Sequence, residues 1–386
     1  MIATRLARAL GPLLLAAAAA FSTLAVFEVG VRVAGYEPIY QVYSHPEVFW
    51  REDPLLGWSH EPGSTGVYVG PRPWPVEYEA PVRINSLGLR GPELAPLPEA
   101  GARVLLLGDS VTAGFEVPFE ETFGARLEAL LGAELGSPVQ VVNAGVRGYG
   151  TDQSYLYYRD RAGALDADVV VMWHSANDLS DNVTLHRMRR IFGKGGLAPT
   201  EGGALAPVGY PIPDYALCSE WLLDAGFEAR RVDSSFERAM CGFQTQLADR
   251  SALFTFLSMR IRRNPGLLLF LYRLGSPSGG AERAEGPGGG DPLAERKEYL
   301  TGSILRALAD AVRSRGAHLL LIKPPEFLDP EVLARPDVGR VEIPVDLSQL
   351  EYRFENDSHL SARGHEVVAE ALRPGVVERL KSARGR

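Results

Sequence analysis

Residues 104–114 read VLLLGDSVTAG, and this stretch decides the fold. Its first four residues are apolar without interruption, which is typical of a strand buried on both faces of a sheet. Gly108 lets the chain turn tightly after the strand, and Ser110 follows in that turn. A serine at the carboxyl end of a parallel strand lies where open α/β sheets bind their ligands. The stretch therefore predicts an α/β protein with Ser110 at its site.

An α/β pattern surrounds this stretch. Further short apolar runs predict strands at residues 139–142, 168–173 and 317–322. Helix-like sequence follows the strands at residues 120–131, 152–161, 295–315 and 361–381. Because strands that alternate with helices form a parallel sheet with helices on both faces, we predict a three-layer α/β/α sandwich with a flavodoxin-like sheet.

The amino terminus predicts a membrane anchor. Arg5 and Arg8 precede an apolar run at residues 9–27, which as a helix is about 28 Å long, close to the thickness of a bilayer core. A cleaved signal peptide has a shorter apolar region and a small-residue cleavage site, so an uncleaved signal anchor is favoured and a cleaved peptide is the alternative. The arginines predict a cytoplasmic amino terminus, with the rest of the chain periplasmic or extracellular.

The remaining sequence divides into a lead-in and a main domain. Residues 1–36 form the predicted anchor, residues 37–100 an irregular, partly β lead-in, and residues 101–386 the main domain. An insertion at about 180–293 interrupts the main domain and contains two low-complexity stretches, residues 193–213 and 275–292. The second stretch is predicted to be disordered. Between them, the apolar residues 253–274 predict helices packed on the domain, with a lid or an interfacial helix as the alternative.

Composition excludes several classes of function. The 386 residues carry a net charge of -8 with no dominant basic stripe, which argues against a nucleic-acid partner. The two cysteines, Cys218 and Cys241, form either one disulfide in an oxidising compartment or two small buried thiols. The sequence has no Cys/His cluster, and no lysine follows Gly114, so neither a metal nor a nucleotide is predicted and no cofactor is needed.

Three more polar blocks follow predicted strands or precede a helix. They are residues 143–150 (NAGVRGYG), residues 175–178 (SAND) and residues 356–361 (NDSHLS). These positions converge on one edge of a parallel sheet, next to Ser110. Acyl transfer needs such a set, because it requires a nucleophile, a base, a group that orients the base and donors for the developing oxyanion.

The four blocks, in this order, resemble those of the SGNH (GDSL-like) hydrolase superfamily. The resemblance covers roughly residues 103–372 apart from the insertion, and the anchor and lead-in are similar to those of membrane-anchored bacterial members. It implies that Ser110 is the nucleophile and that His359 is its base. It also implies an oxyanion hole made by the N–H groups of Ser110 and Gly148 and the side-chain amide of Asn177.

The sequence departs from the family pattern at two positions. Asn356 stands where the acid usually precedes the histidine by three residues, and Asp357 stands two residues before it. We choose Asp357 as the orienting carboxylate because only it carries the negative charge that stabilises an imidazolium. Ser175 replaces a usual glycine, which either narrows the space beside the oxyanion or alters only the turn.

The resemblance implies cleavage of carboxylic esters through an acyl-serine intermediate. The expected substrates are lipid esters or O-acetyl groups of cell-surface or secreted polysaccharide, and the external location favours the second. Two alternatives stay open. The same residues could transfer the acyl group to a glycan, or the chain could be a non-catalytic glycan-binding or scaffold protein on this fold.

Overall fold

The computed structural model describes residues 2–38, 49–70, 76–98, 100–262, 264, 266 and 292–384. The helices are α1 (Ile2–Val33), α2 (Ser110–Ala113), α3 (Phe123–Leu135), α4 (Thr151–Asp160), α5 (Asp178–Asp181), α6 (Ser235–Arg250), α7 (Ala252–Arg262), α8 (Pro292–Ser314), α9 (Pro330–Leu333) and α10 (Ala362–Arg384). Short 3₁₀ helices span Phe119–Glu121 and Ala162–Leu165.

The strands before and within the central sheet are β1 (Trp50–Asp53), β2 (Gly57–His60), β3 (Thr65–Gly70), β4 (Tyr78–Arg83), β5 (Ala102–Leu107), β6 (Val139–Asn143) and β7 (Val169–Trp173). The later strands are β8 (Thr184–His186), β9 (Gly196–Pro199), β10 (Leu205–Val208), β11 (Trp221–Leu223), β12 (Ala229–Arg231), β13 (His318–Ile322) and β14 (Val338–Val341).

The central sheet has five parallel strands in the order β14-β13-β7-β5-β6. Successive side chains of each strand enter opposite cores: Leu105 packs with α4 and α8, whereas Leu106 packs with α3 and α10. This alternation explains why the strand sequences are apolar throughout. The predicted three-layer α/β/α fold with a flavodoxin-like sheet is confirmed, and β14 is a fifth strand that the sequence did not predict.

The lead-in contains two antiparallel hairpins, β1–β2 and β3–β4. Within this partly β lead-in, residues 67–69 lie in β3, and residues 82 and 83 end β4. In the insertion, residues 193–213 were interpreted as low complexity, but they contain the antiparallel hairpin β9–β10. Strands β8, β11 and β12 form a separate three-stranded sheet. The predicted disorder at residues 275–292 lies outside the described residues, except for Pro292, which begins α8.

Helices α1 and α7, with most of α6, form a compact unit of their own. Within α1, the segment Leu14–Val33 has a mean hydropathy of 1.9 and is unburied, so it is long and apolar enough to cross a membrane. The helix continues past Phe27 to Val33. Within it, Glu28 accepts hydrogen bonds from the N–H groups of Ala252 and Leu253 at the start of α7. The predicted apolar segment 253–274 is described as far as the end of α7 and at residues 264 and 266. Both cysteines, Cys218 and Cys241, are disulfide-bonded.

A buried ion pair in the main domain yields a stability prediction. Lys194 donates to Asp152 in the first turn of α4, and the two side chains are 3% and 1% exposed. Asp152→Ala leaves the ammonium of Lys194 buried without its partner, so the free energy of unfolding is expected to fall by about 3–5 kcal/mol. Denaturant unfolding of the purified chain measures this loss.

The matched control for this variant is Glu342→Ala, which breaks the exposed pair of Glu342 with Arg340. Water screens this pair, and the expected loss is below about 1 kcal/mol. Equal losses for the two variants would contradict the role of burial.

Candidate active site

Ser110 begins α2 directly after the central strand β5. The side chain of Asp109 accepts a hydrogen bond of 2.9 Å from the N–H of Val111 and so caps this short helix. Burial raises the pKa of Asp109. Gly108 has a φ of +148°, and a Cβ there would lie 2.4 Å from Oγ1 of Thr112. The turn therefore requires glycine, and it presents Ser110 partly exposed at the carboxyl edge of the sheet.

His359 lies next to Ser110, although 249 positions separate them in the sequence. Its Nε2 is 2.8 Å from Oγ of Ser110, and its Nδ1 is hydrogen-bonded to Oδ1 of Asp357. The backbone N–H of His359 donates to the same carboxylate oxygen at 3.0 Å. The three side chains form one continuous hydrogen-bonded chain, and those of His359 and Asp357 are 16% and 15% exposed.

The environment of Asp357 keeps it ionised. Burial alone would raise the pKa of Asp357, but its hydrogen bond with the His359 ring and the charge of that ring hold the pKa well below its usual value. An ionised Asp357 accepts the hydrogen on Nδ1 and thereby leaves Nε2 as the acceptor that faces the Ser110 hydroxyl. This is the tautomer that a general base requires.

Asn356, the alternative orienting residue, faces away from the imidazole. Its side-chain amide donates to Glu77, and its backbone N–H donates to Oε1 of Glu77 at 3.0 Å. Of the two neighbouring residues, it is Asp357 that contacts His359.

The three predicted oxyanion donors follow the carboxyl ends of β5, β6 and β7. Among the hydrogen bonds of the described residues, the N–H groups of Ser110 and Gly148 have no acceptor. Gly148 is exposed and has a φ of +78°, which favours glycine. Asn177 donates one amide hydrogen to Oδ2 of Asp181 at 2.6 Å, which leaves the second hydrogen of its NH₂ group for another acceptor.

The second polar block packs directly on the serine loop. Nδ2 of Asn143 donates to the carbonyl of Thr112 at 2.7 Å, and Oδ1 of Asn143 accepts from the N–H of Gly145 at 3.0 Å. A Cβ on Gly145 would lie 2.6 Å from the backbone nitrogen of Ala113. Residue 145 must therefore be glycine for its loop to pack closely on α2. This packing fixes the position of Gly148 relative to Ser110.

Sequence analysis missed the contribution of the lead-in. The hydroxyl of Tyr78 donates to Oδ2 of Asp357 at 2.8 Å. Nε1 of Trp58 donates to the carbonyl of Arg147 at 3.0 Å, and the hydroxyl of Tyr149 donates to the carbonyl of Trp58 at 2.6 Å. The hairpins thus contact both Asp357, the predicted orienting carboxylate, and the loop that carries Gly148. Their signal in the sequence is weak because it consists of aromatic residues far from the four blocks.

Glu116, Asp357 and His359 also bring three potential metal-ligand atoms within 4.8 Å of one another. Each of these groups already has a protein partner, since Glu116 accepts from Arg147 and the other two bond to each other. Among the described residues, the cluster is therefore accounted for by hydrogen bonds within the chain.

The contact of Tyr78 predicts a moderate effect on activity. Tyr78→Phe removes one donor from Asp357 but keeps the ring, which packs 4.8 Å from Phe354. Because a hydrogen bond to a charged group contributes about 1.5–3 kcal/mol, we expect kcat/KM for ester hydrolysis to fall about tenfold with little change in the melting temperature. Tyr210→Phe is the control, since the hydroxyl of Tyr210 donates to the carbonyl of Leu55 at 2.8 Å. A tenfold loss in both variants would contradict the assignment.

One family model matches part of the α/β domain. Residues 106–217 match the model of the GDSL-like lipase/acylhydrolase family. The fold and this match define the protein as a hydrolase that acts on ester bonds. The matched residues run from β5 through β10 to the loop before β11, and they are similar to the GDSL-like family. No curated protein matches the chain.

Several solved structures are similar to the chain. A psychrotrophic esterase, EstA from Pseudoalteromonas sp., is 11% identical, with 72% of this chain and 98% of that one covered and a TM-score of 0.37. TesA is 12% identical, with 72% and 99% covered and a TM-score of 0.36. A family 3 carbohydrate esterase from Clostridium thermocellum is 11% identical, with 73% and 98% covered and a TM-score of 0.35. At these TM-scores, the likeness to the three structures carries no argument about the activity of this chain.

Proposed function

We propose that this protein is a serine esterase in which Ser110 is the nucleophile, His359 the general base and Asp357 the group that orients the base. The observation that carries the proposal is the hydrogen-bonded chain from Oγ of Ser110 through the imidazole to Oδ1 of Asp357. A serine hydroxyl is a weak nucleophile until a base within hydrogen-bond reach accepts its proton. The 2.8 Å contact with Nε2 meets that requirement.

The proposed reaction proceeds through an acyl-enzyme. Oγ of Ser110 attacks the ester carbonyl while its proton passes to Nε2 of His359. The carbonyl oxygen becomes an oxyanion that accepts hydrogen bonds from the N–H groups of Ser110 and Gly148 and from the amide of Asn177. His359 then gives the proton to the leaving alcohol, and the C–O bond breaks. Water attacks the acyl-serine by the same steps and releases the acid.

The partial exposure of this site supports a substrate that reaches it from solvent. We propose that α1 anchors the chain in a bacterial membrane and that the hydrolase domain lies in the periplasm or outside the cell. The arginines before the apolar segment support this orientation, and the disulfide-bonded cysteines support an oxidising compartment. O-acetyl groups of an external polysaccharide are then the proposed substrates, ahead of lipid esters.

Two measurements on the full chain in detergent test this proposal. The first is covalent labelling by a fluorophosphonate probe; failure to label, where a known serine esterase labels, would favour a non-catalytic binding protein. The second is a screen of p-nitrophenyl esters of increasing acyl length together with acetylated polysaccharides and phospholipids. Release of free acetate supports the esterase, transfer of labelled acetyl to an added glycan would favour the O-acyltransferase, and activity on long acyl chains alone would favour lipid esters.

A further inference from the structure

A second carboxylate, Glu116, faces the imidazole of His359. Its Oε1 lies 3.5 Å from Nδ1, the same nitrogen that bonds to Asp357. The side chain of Glu116 is 1% exposed, in the loop between α2 and the 3₁₀ helix that begins at Phe119. No polar block of the sequence contains Glu116, and the proposed reaction does not use it.

The contact between Glu116 and the imidazole is electrostatic. The ring has a single hydrogen on Nδ1, and Asp357 accepts it at the shorter contact. At 3.5 Å in a buried environment, the negative charge of Glu116 still favours an imidazolium over a neutral ring. The imidazolium is the form that His359 takes while Ser110 attacks.

The positive charge of Arg147 compensates the negative charge of Glu116. It donates to Oε1 of Glu116, and its guanidinium lies 4.9 Å from the centre of the Tyr68 ring. Burial alone would lower the pKa of Arg147, but the facing Glu116 raises it above its ordinary value, so the group stays charged. Arg147 also directly precedes Gly148, and its carbonyl accepts from Trp58. Arg147 thus connects the loop that carries Gly148, a proposed oxyanion donor, to the carboxylate of Glu116 beside His359.

We propose that Glu116 is a positioning residue for His359 and that Arg147 sets the strength of its effect. This inference rests on the proposed esterase function. With Asp357 and Glu116 negative and Arg147 positive, the cluster is neutral when His359 is protonated and carries one negative charge when His359 is neutral. The arrangement therefore stabilises the charge that develops on the imidazole in the transition state.

The ionisable groups around the imidazole come from several elements. They are Asp357 on its own loop, Glu116 and Asp109 near α2, Arg147 after β6, Tyr78 on β4, His365 on α10 and, beyond Glu116, Arg90. Of these, Glu116 and Arg147 pair with each other, so neutral replacements at the two positions change the local charge in opposite directions.

The test is the pH dependence of kcat/KM for a p-nitrophenyl ester, measured on the full chain in detergent. The acid midpoint of such a profile reports protonation of the general base, and the lowered pKa of Asp357 keeps that carboxylate ionised there. Glu116→Gln removes a negative charge, so the acid midpoint is expected to fall by about one pH unit. Arg147→Gln leaves Glu116 uncompensated, so the midpoint is expected to rise by about one pH unit. The double variant is expected to return close to the wild-type midpoint.

Asp53→Asn is the matched control, because Asp53 is 3% exposed and pairs with Arg161 away from the imidazole. It is expected to lower the melting temperature without moving the midpoint. An unmoved midpoint in Glu116→Gln, or shifts of the same sign in both single variants, would overturn the inference. If Arg147→Gln fails to fold, Glu116→Gln and the double variant still test the inference about Glu116.

An NMR titration of the His359 ring, assigned by comparison with His359→Gln, separates this inference from the proposed function. It needs no turnover and is expected to show the same opposite shifts. A wild-type chain that hydrolyses no ester would overturn the proposed function. An imidazole titration that does not change in Glu116→Gln would overturn the role of Glu116, whether or not the chain is an esterase.

Discussion

Ser110→Ala is expected to reduce ester hydrolysis by on the order of 10⁶-fold. The substitution removes the atom that forms the acyl-enzyme in the proposed reaction, and no other hydroxyl of the described residues contacts Nε2 of His359. The side chain of Ser110 is partly exposed, and among the described residues its Oγ is hydrogen-bonded to His359. The melting temperature should therefore stay within a few degrees of wild type. Initial rates on a p-nitrophenyl ester and a thermal unfolding curve measure the two effects.

A matched serine variant and a labelling experiment sharpen this prediction. Ser303→Ala changes a hydroxyl on α8 that donates to the carbonyl of Tyr299, and it should retain wild-type activity and labelling by fluorophosphonate. Ser110→Ala should lose the label completely. A labelled Ser110→Ala chain would mean that another residue is the nucleophile, and the proposed site would be wrong.

Much of the fold follows from local sequence patterns. The strands β5, β6, β7 and β13 are short, apolar and bounded by turn residues, and each was predicted within one or two residues. The strand β14 was missed because its sequence, VGRV, is short and contains glycine and arginine. Its inward residues Val338 and Val341 are buried, but pairing with β13 defines the strand, and such long-range pairing has no local signature.

The sequence alone could predict that the site residues meet, because the topology of a parallel sheet determines where the loops after its strands lie. Parallel strands end at a common edge, so blocks that follow such strands meet there without any information on side-chain contacts. The partners of those residues could not be found in this way. Tyr78 bonds to Asp357 across 279 positions, and Glu116 reaches His359 from a loop with no motif. These contacts depend on how the lead-in hairpins and loops pack, which no periodicity encodes.

Asp357→Asn is expected to lower kcat by about 10⁴-fold, as the corresponding change does in other triads. The amide fills the same space, but it has no negative charge to stabilise an imidazolium. It also turns an NH₂ group or a neutral oxygen toward Nδ1, which permits the unproductive ring tautomer. The hydrogen bond from Tyr78 and the backbone contact from His359 help to keep the loop in place. Pre-steady-state or steady-state rates on an activated ester give the loss in kcat.

The neighbouring Asn356 provides the decisive comparison, since the family pattern would put the acid there. Its amide bonds to Glu77 and not to the imidazole, so Asn356→Ala should cost less than about tenfold in kcat, through looser anchoring of the loop. Circular dichroism should show both variants folded. If Asn356→Ala were the severe variant and Asp357→Asn nearly silent, Asn356 would have to orient the base, and the negative charge of Asp357 would play no part in stabilising the imidazolium.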